Sequence, residues 1–296
     1  MTKELNLMQE DTLPPINELR RFVRVMLSRG VVLCGVIVVA AVIFSATFAP
    51  LVAPYDPHAQ DLDFVLQQPT SKHLLGSDSL GRDTLSRIIY GTRISLVVGV
   101  GTVLIAASLG TVIGLIAGFF GGWIYTVIMR FTDGVMAIPP ILLALVIAAL
   151  LGTGVKGVMI AISFALLPGY IRLICGQVLS VKENEYVMAA HSVGVSKIAI
   201  MVRHILPNCF SPLIVQMTMM MGLAILLEAS LSFLGLGIKP PTAAWGSMVY
   251  YGYKYLVMRP VLTFAPLLAI MLVVFSFNMI GDGLRDALDP RLRGTI

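Results

Sequence analysis

The sequence predicts an all-α integral membrane protein with six transmembrane helices. Hydrophobic residues make up 57% of the 296-residue chain and charged residues only 12%, whereas about 25% of the residues in a typical soluble domain are charged. The mean hydropathy is +0.89, and the apolar runs are near the length of about 20 residues that crosses a bilayer. This composition argues against a soluble enzyme, and the net charge of +5 is too small and too dispersed to indicate nucleic acid binding.

The chain divides into four regions by composition. Residues 1–30 are polar and carry five basic residues close to the first apolar run, which favours a cytoplasmic N-terminal segment. Residues 31–93 comprise the first span, at 31–52, and an extracytoplasmic segment. Residues 94–281 form a core of five further spans, and residues 282–296 form a cytoplasmic tail.

The extracytoplasmic segment ends in a charged stretch before span two. Asp78 and Asp83 lie close in sequence to Arg82 and Arg87. We expect local ion pairs there, on a capped surface helix that leads into span two. Such pairs contribute little to stability when they are exposed.

Spans two and three are marked by small residues and prolines. Gly110, Gly114 and Gly118 recur at every fourth position of span two (94–120) and predict a face for close helix packing. Pro139-Pro140 lies near the start of span three (135–151) and is expected to bend or begin that helix. The semi-polar stretch before it carries Arg130 and Asp133, three residues apart, which we expect to pair near the cytoplasmic surface.

The remaining core comprises spans four to six. Span four (158–174) is interrupted by Pro168-Gly169 in this interpretation, with Arg172 beyond it on the inner side. Span five (210–234) contains Glu228, and a carboxylate inside an apolar run is a functional candidate. We predict that four residues of span five line the translocation pathway or form its gate. For Glu228, a role in helix packing or in shaping the gate is favoured over direct contact with the solute. These candidates are Glu228, Met220, Met221 and Ser232. Span six covers 262–280.

The stretch from 182 to 208 is the most informative part of the chain. Its apolar residues recur at helical spacing, and Gly194 divides it into two short helical patterns. A glycine there allows the left-handed conformation of a tight turn, and Pro207 is expected to stop the second pattern. This predicts two short helices that a soluble partner could bind, although an amphipathic loop lying at the membrane surface fits the pattern equally well.

Several motifs in this order resemble the permeases of bacterial ABC importers. Ala189-Ala190, Gly194 and the sequence Ile205-Leu206-Pro207 resemble the EAA loop of these proteins, with Met188 at the position of the motif's glutamate. The peptide/nickel branch of the family is resembled more closely, and within it the C-type permease subunit. This closer resemblance lies in Tyr186-Val187 before the alanines and in Arg203-His204 before Ile205. Further resemblances cover most of 50–293. They lie at 75–87, with Ser77 in place of a usual threonine, at 228–237, at 240–246 and at 277–293.

The resemblance implies a type I ABC importer permease fold and a set of partners. Such a permease pairs with a second, related permease, two ATP-binding subunits and an extracytoplasmic solute-binding protein, with ATP and Mg bound on the ATPase subunits. The loop would be the coupling helix that contacts an ATPase. The coupling residues implied are Glu185, Tyr186, Ala189, Ala190, Gly194, Ile205 and Pro207. The solute would be a di- or oligopeptide; nickel, metal chelates and glutathione-like solutes are the alternative.

Other classes of protein remain open on the residues alone. The sequence has no P-loop and therefore no motif by which this chain could itself couple ATP to transport. An ATPase-independent transporter would show an inverted repeat, and none is convincing. A membrane enzyme would need paired catalytic groups, but Glu228 and Asp133 are isolated from each other in the sequence. Neither a catalytic site nor a cofactor or metal site is predicted on this chain.

The histidines, cysteines and basic residues fit this interpretation. His58 and His73 could share an outer site, but surface positions are the commoner case. The three cysteines have no paired spacing and are expected to be buried small residues. Of the 21 Lys and Arg residues, 13 fall in the predicted inner segments, which favours a multi-pass protein of a bacterial or archaeal inner membrane with both termini cytoplasmic.

Overall fold

The apolar runs of the sequence form a bundle of helices. The structure, a computed structural model, describes Met26 and residues 29–288. Except for Arg29, the basic N-terminal residues lie outside the described residues, as does the last part of the tail motif, at 289–293. The main helices are α1 (Gly30–Thr47), α2 (Thr84–Phe120), α3 (Gly122–Met136), α4 (Pro140–Leu151), α5 (Val155–Val181), α6 (Glu185–Ser192), α7 (Leu206–Phe233), α8 (Trp245–Tyr253) and α9 (Val261–Leu288).

The predicted all-helical membrane fold is confirmed, with one difference in how the spans are built. Five helices are long and apolar enough to cross a membrane, and α3 with α4 forms a sixth span if this pair, bent by 91°, crosses together. Span three was predicted as one helix over 135–151. Pro140 begins α4, but α4 has only 12 residues, or about 18 Å, so α3 must supply the rest of the crossing. The bend falls at Pro139, whose extended backbone ends the preceding helix.

Two other prolines were predicted to interrupt helices, and neither of them does. Helix α5 runs continuously from Val155 to Val181 with Pro168 inside it, since surrounding helices in a bundle compensate for the lost hydrogen bond. Pro207 does not stop the second helical pattern of the loop. It lies in the first turn of α7, directly after the π-helical stretch Ile200–Ile205, so the helix continues through it.

The predicted packing face of α2 is confirmed. A Cβ added to Gly110 would collide with Tyr170 Cβ, and one added to Gly114 would lie 2.7 Å from the Ile171 carbonyl oxygen. At Gly118 the nearest atom would be Val178 Cβ, at 2.7 Å. The three glycines therefore bring the backbone of α2 close to α5, and these two helices form the most extensive helix pair of the core.

The charged stretch before α2 caps this helix, but it is buried and not on the surface. Asp83 caps the helix by accepting from the Ser86 backbone N–H at 2.8 Å and also contacts His73 Nδ1 at 2.9 Å. Arg82 pairs with Asp78 at 2.7 Å, and Arg87 lies 3.7 Å from the same carboxylate. These ion pairs were predicted, but their shielding from solvent was not, because it depends on contacts distant in sequence.

Helix α8 packs against the outer part of α2. The indole of Trp245 donates to the Ile88 carbonyl oxygen at 2.9 Å, and its ring lies so close to Gly91 that an added Cβ would be 2.7 Å from it. Gly246 in turn lies against the Ala229 backbone of α7. The Trp245-Gly246 motif therefore joins α2, α7 and α8 at the end of the bundle opposite the 182–208 loop.

Candidate coupling loop and translocation pathway

The 182–208 loop forms the predicted helix–turn–helix. Helix α6 is followed by a turn in which Gly194 has φ +79°, a left-handed value that glycine adopts without a steric penalty. A helical turn at Lys197–Ala199, capped by the Ser196 hydroxyl, and a π-helical stretch at Ile200–Ile205 then lead directly into α7. The second helix of the loop is thus continuous with a transmembrane helix.

Buried side chains hold this loop on the bundle. Val187 and Ala190 are the buried residues of α6, and Ile200 and Ile205 are buried in the second segment. The side-chain amide of Asn208 donates to the Tyr186 hydroxyl at 3.0 Å, and so links α6 to the start of α7. A force on the loop would therefore be transmitted to α7.

The opposite face of the loop is apolar and exposed. Five large apolar side chains have between 45% and 79% of their surface exposed: Tyr186, Met188, Val193, Ile198 and Val202. They occur among charged residues such as Glu185 and Lys197, so this face does not have the composition of a lipid-facing span. An apolar patch with a polar rim is typical of a protein-binding surface.

The structure divides the predicted coupling residues into two groups. Ala190 and Ile205 are buried and anchor the loop, with 7% and 0% of their surface exposed. The others are exposed where a partner could contact them: Glu185, Tyr186, Ala189, Gly194 and Pro207. Met188, at the position of the motif's glutamate, is 50% exposed and adds to the apolar surface.

The pathway candidates on α7 lie inside the protomer. Glu228 is completely buried, and its Oε1 accepts from the Ser232 hydroxyl at 2.8 Å. That hydroxyl in turn accepts from the Ile238 backbone N–H at 3.0 Å, which ties the end of α7 to the following loop. Met221 is buried and Met220 is partly buried against the core. Roles for these four residues in the pathway or gate stay a prediction.

A second group of charged residues was not predicted as a site. Arg172 on α5 pairs with Asp133 on α3, so the predicted pairing of Asp133 with Arg130 is replaced by a contact between residues 39 positions apart. The prediction placed Arg172 beyond the end of the fourth span, but it lies within α5. A charge more than two turns inside a membrane helix is the signal that could have identified this group.

Histidine and cysteine positions complete the inventory of reactive side chains. Within the part of the chain that the structure describes, no three His, Cys, Asp or Glu side chains form a group that could hold a metal ion. His73 stacks near Tyr55 and contacts Asp83, so it is not the surface residue that was expected. Cys175 and Cys209 are buried as predicted, whereas Cys34 is exposed.

Taken together, the bundle and the loop define a multi-span membrane protein with a protruding helix–turn–helix. A family model described as "Binding-protein-dependent transport system inner membrane component" matches residues 110–294, and one described as "N-terminal TM domain of oligopeptide transport permease C" matches residues 18–69. The chain belongs to the family of binding-protein-dependent inner membrane permeases. The predicted relationship to the peptide-type importers is confirmed.

Curated relatives match over nearly their whole length. The glutathione transport system permease protein GsiD of Pectobacterium atrosepticum is 42% identical over 93% of this chain and 91% of its own. The di/tripeptide transport system permease protein DppC of Pseudomonas aeruginosa is 43% identical over 88% of each chain. The GsiD protein of Escherichia coli O6:K15:H31 is 43% identical over 86% of this chain and 85% of its own.

Proposed function

We propose that this chain forms, with a second related permease, the translocation pathway of an ATP-driven importer for di- and oligopeptides. The exposed apolar face of the 182–208 loop carries this proposal. That face lies on a helix–turn–helix that is anchored to the bundle and continuous with α7. It offers an ATPase subunit a surface through which to move a transmembrane helix.

The chain's contribution is conformational and not catalytic. ATP and Mg bind on the partner ATPase subunits, and closure of those subunits pushes the loop. Because the π-helical stretch joins the loop to α7 without a break, this motion tilts the helices that line the pathway. The transporter then alternates between inward- and outward-facing states whose relative stability the ATPases change.

Two observations bear on the solute. The DppC relative is named for di- and tripeptides and the GsiD relatives for glutathione, itself a peptide-like acid. Peptides are therefore the main candidate, and glutathione-like solutes are the second. Nickel or metal chelates are a further alternative, and loss of a nickel-dependent activity in a strain lacking the chain, with peptide growth unchanged, would favour them.

The orientation follows from the basic residues. Both termini and the 182–208 loop are cytoplasmic in this proposal, and the segment between α1 and α2 is extracytoplasmic, where a solute-binding protein delivers its ligand. Basic residues are more frequent in the segments assigned to the inner side, as expected for cytoplasmic loops.

The experiment that tests this proposal is purification of the chain from native membranes in mild detergent, with mass spectrometry of the retained proteins. We expect two P-loop ATPase subunits and a second permease, and peptide uptake by the complex after reconstitution with its binding protein. Paired replacement of Met188 and Ile198 by Asp is expected to release the ATPases but not the second permease.

Two results would contradict the proposal. Recovery of the chain without any ATPase in several detergents would favour a self-sufficient transporter or a membrane enzyme. Retention of the ATPases by the Met188→Asp/Ile198→Asp variant at wild-type levels would show that the apolar face of the loop is not their binding surface.

A further inference from the structure

The ion pair between Arg172 and Asp133 lies well inside the membrane-spanning helices. Arg172 is nine residues from the end of α5 at Val181, and Asp133 is eleven residues from the start of α3 at Gly122. At a rise of about 1.5 Å per residue, these separations are about 14 Å and about 16 Å. Arg172 is also 17 residues from the start of α5 at Val155, or about 26 Å, so it lies within a roughly 30 Å hydrocarbon layer whichever end of α5 is at the surface of that layer. Asp133 pairs with it and so lies close to the same level.

This pair is not shielded by the rest of the protomer. The side chains of Arg172 and Asp133 are 52% and 44% exposed, unlike the completely buried Glu228. Charged side chains at membrane depth face a water-filled cavity or another protein far more often than lipid, because lipid cannot solvate them. An exposed ion pair at this depth therefore indicates the side of the bundle that faces away from lipid.

A cleft opens next to the pair and is lined by one face each of α3 and α5. Its volume is about 480 Å³, within the range of small-molecule sites. Arg130 lies on its α3 wall, and Gly176 lies on its α5 wall, where an added Cβ would meet no atom within 4 Å. The cleft therefore has room for a small solute beside the charged groups.

The cleft carries an excess of positive charge. Arg130, Asp133 and Arg172 are the charged residues among those lining it, and Asp133 can neutralise only one of the two arginines. Among the ion pairs of the described residues, none involves Arg130. A guanidinium without a partner carboxylate can bind a solute carboxylate with two parallel hydrogen bonds.

We propose that Arg130, together with the Arg172–Asp133 pair, forms a subsite of the translocation pathway that takes the carboxylate of the transported solute. The second permease would close the open side of the cleft, and Asp133 would hold Arg172 in position. The class of solute, a peptide-like acid, rests on the proposed function. The prediction of an aqueous, anion-selective cleft does not.

The first experiment measures the charge selectivity of the cleft without any solute. Gly176→Cys is introduced into a chain with Cys34→Ser, Cys175→Ala and Cys209→Ala, and the purified importer complex is reconstituted into vesicles. The single introduced thiol is then modified with sulfonatoethyl or with trimethylammonioethyl methanethiosulfonate. Each rate is divided by the rate for a small thiol in solution, so that the intrinsic reactivities of the two reagents cancel.

We expect the anionic reagent to react faster on this normalised scale. Arg130→Gln is expected to reduce the preference about fivefold, since one unit charge at this range still acts strongly in a partly desolvated cleft. Arg130→Lys keeps the charge and should keep the preference. Absence of modification by either reagent would show that the partner covers the cleft, and equal normalised rates would show that it is not anion-selective; either result overturns the proposal.

The second experiment compares uptake of a dipeptide with uptake of the same dipeptide amidated at its C-terminus. The solute-binding protein is identical throughout, so a change caused by a variant reports on the permease. Arg130→Gln is expected to reduce uptake of the free acid about fivefold relative to the amide. An equal loss for both solutes would mean that Arg130 has a structural role only.

The two experiments separate this inference from the proposed function. If the wild-type complex imports neither peptide while the thiol introduced by Gly176→Cys retains its anion preference, the peptide function fails and the anion-selective cleft stands. If peptides are imported normally and the preference is absent, the subsite alone fails.

Discussion

At the residue scale, the effect of a substitution is set by backbone conformation at some positions of this protein and by burial at others. Gly194 has a left-handed backbone, but no atom lies within 4 Å of a Cβ added there. Any penalty for a side chain is therefore conformational and not steric. Glu228 is the opposite case, because its backbone is ordinary helix and its side chain is completely enclosed.

Gly194→Val is expected to abolish uptake while the chain remains folded and inserted. A β-branched residue resists positive φ at a cost of about 1–3 kcal/mol, which favours a different turn and moves the exposed face of the loop. Uptake is measured at matched membrane levels of the protein. Gly194→Asn, which tolerates this conformation, should retain transport. Gly169→Val, at a helical glycine with equally open surroundings, is the matched control, and normal uptake by Gly194→Val would contradict the prediction.

Glu228 is expected to act in helix packing, and its substitution is expected to affect stability more than solute specificity. Glu228→Ala removes the acceptor for Ser232 and leaves a space in the core, and we expect a loss of about 1–3 kcal/mol. Glu228→Gln keeps the carbonyl acceptor and the volume. It should have near-wild-type thermal stability in detergent and near-wild-type uptake. A selective loss of uptake in a stable Glu228→Gln protein would instead indicate contact with the solute.

At the element scale, the close approach of α2 and α5 depends on three glycines spaced one turn apart. Helix association within a bilayer lacks the hydrophobic driving force that acts in water, so close van der Waals contact between the backbones is a main source of stability. The same contact fixes the position of α5, which carries Arg172 and one wall of the charged cleft. The glycine face thereby connects the packing of the core to the proposed pathway.

Gly114→Ile is expected to separate α2 from α5 and to lower thermal stability. An added Cβ alone would lie 2.7 Å from the Ile171 carbonyl oxygen and 2.9 Å from Ile174 Cβ, and overpacking of this kind costs about 1–3 kcal/mol or more. The midpoint of heat-induced aggregation in detergent provides the measurement. Gly169→Ile in α5 faces open space and should change the midpoint little. Equal midpoints for the two variants would show that the glycine face does not hold the bundle together.

At the scale of the whole molecule, the two ends of the bundle have different tasks. One end carries a buried polar network that caps α2 together with the Trp245 contact between α2 and α8. The other end presents the exposed loop that is continuous with α7. The charged cleft lies between these ends and is lined by α3 and α5, so a tilt of α5 relative to α3 would change its access from one side of the membrane to the other.

The proposed orientation predicts opposite labelling of two exposed serines. In a chain without its native cysteines, Ser71→Cys in the segment before α2 should react with a membrane-impermeant maleimide in intact cells. Ser192→Cys at the end of α6 should react only after the membrane is permeabilised. Both side chains are exposed, so a difference reports on the side of the membrane. The reverse pattern would invert the proposed topology.

Most of the fold could be predicted from patterns within one or two helical turns. Apolar runs predicted the spans, the spacing of Gly110, Gly114 and Gly118 predicted a packing face, and Gly194 predicted a turn with positive φ. The charged stretch around Asp83 leads into α2 as predicted, and Asp83 caps that helix, but the stretch before Thr84 consists of turns and not of a surface helix. The spans and the helix cap depend on residues that are neighbours in sequence. The packing face and the turn depend on one residue type, because glycine has no Cβ and so allows both the close helix approach and the positive φ.

By itself, the sequence determined an all-helical membrane protein with a loop suited to binding a partner, because helix formation, membrane insertion and turns depend on local composition. The class of permease came from the resemblance of its motifs to those of importer permeases. Only the tertiary structure decided that Asp133 pairs with Arg172 and not with Arg130, and that Glu228 is enclosed while the Arg172–Asp133 pair is exposed. It also decided that the third span is bent at Pro139. Long-range packing sets these outcomes, since helices distant in sequence determine which charges meet and which remain open to solvent.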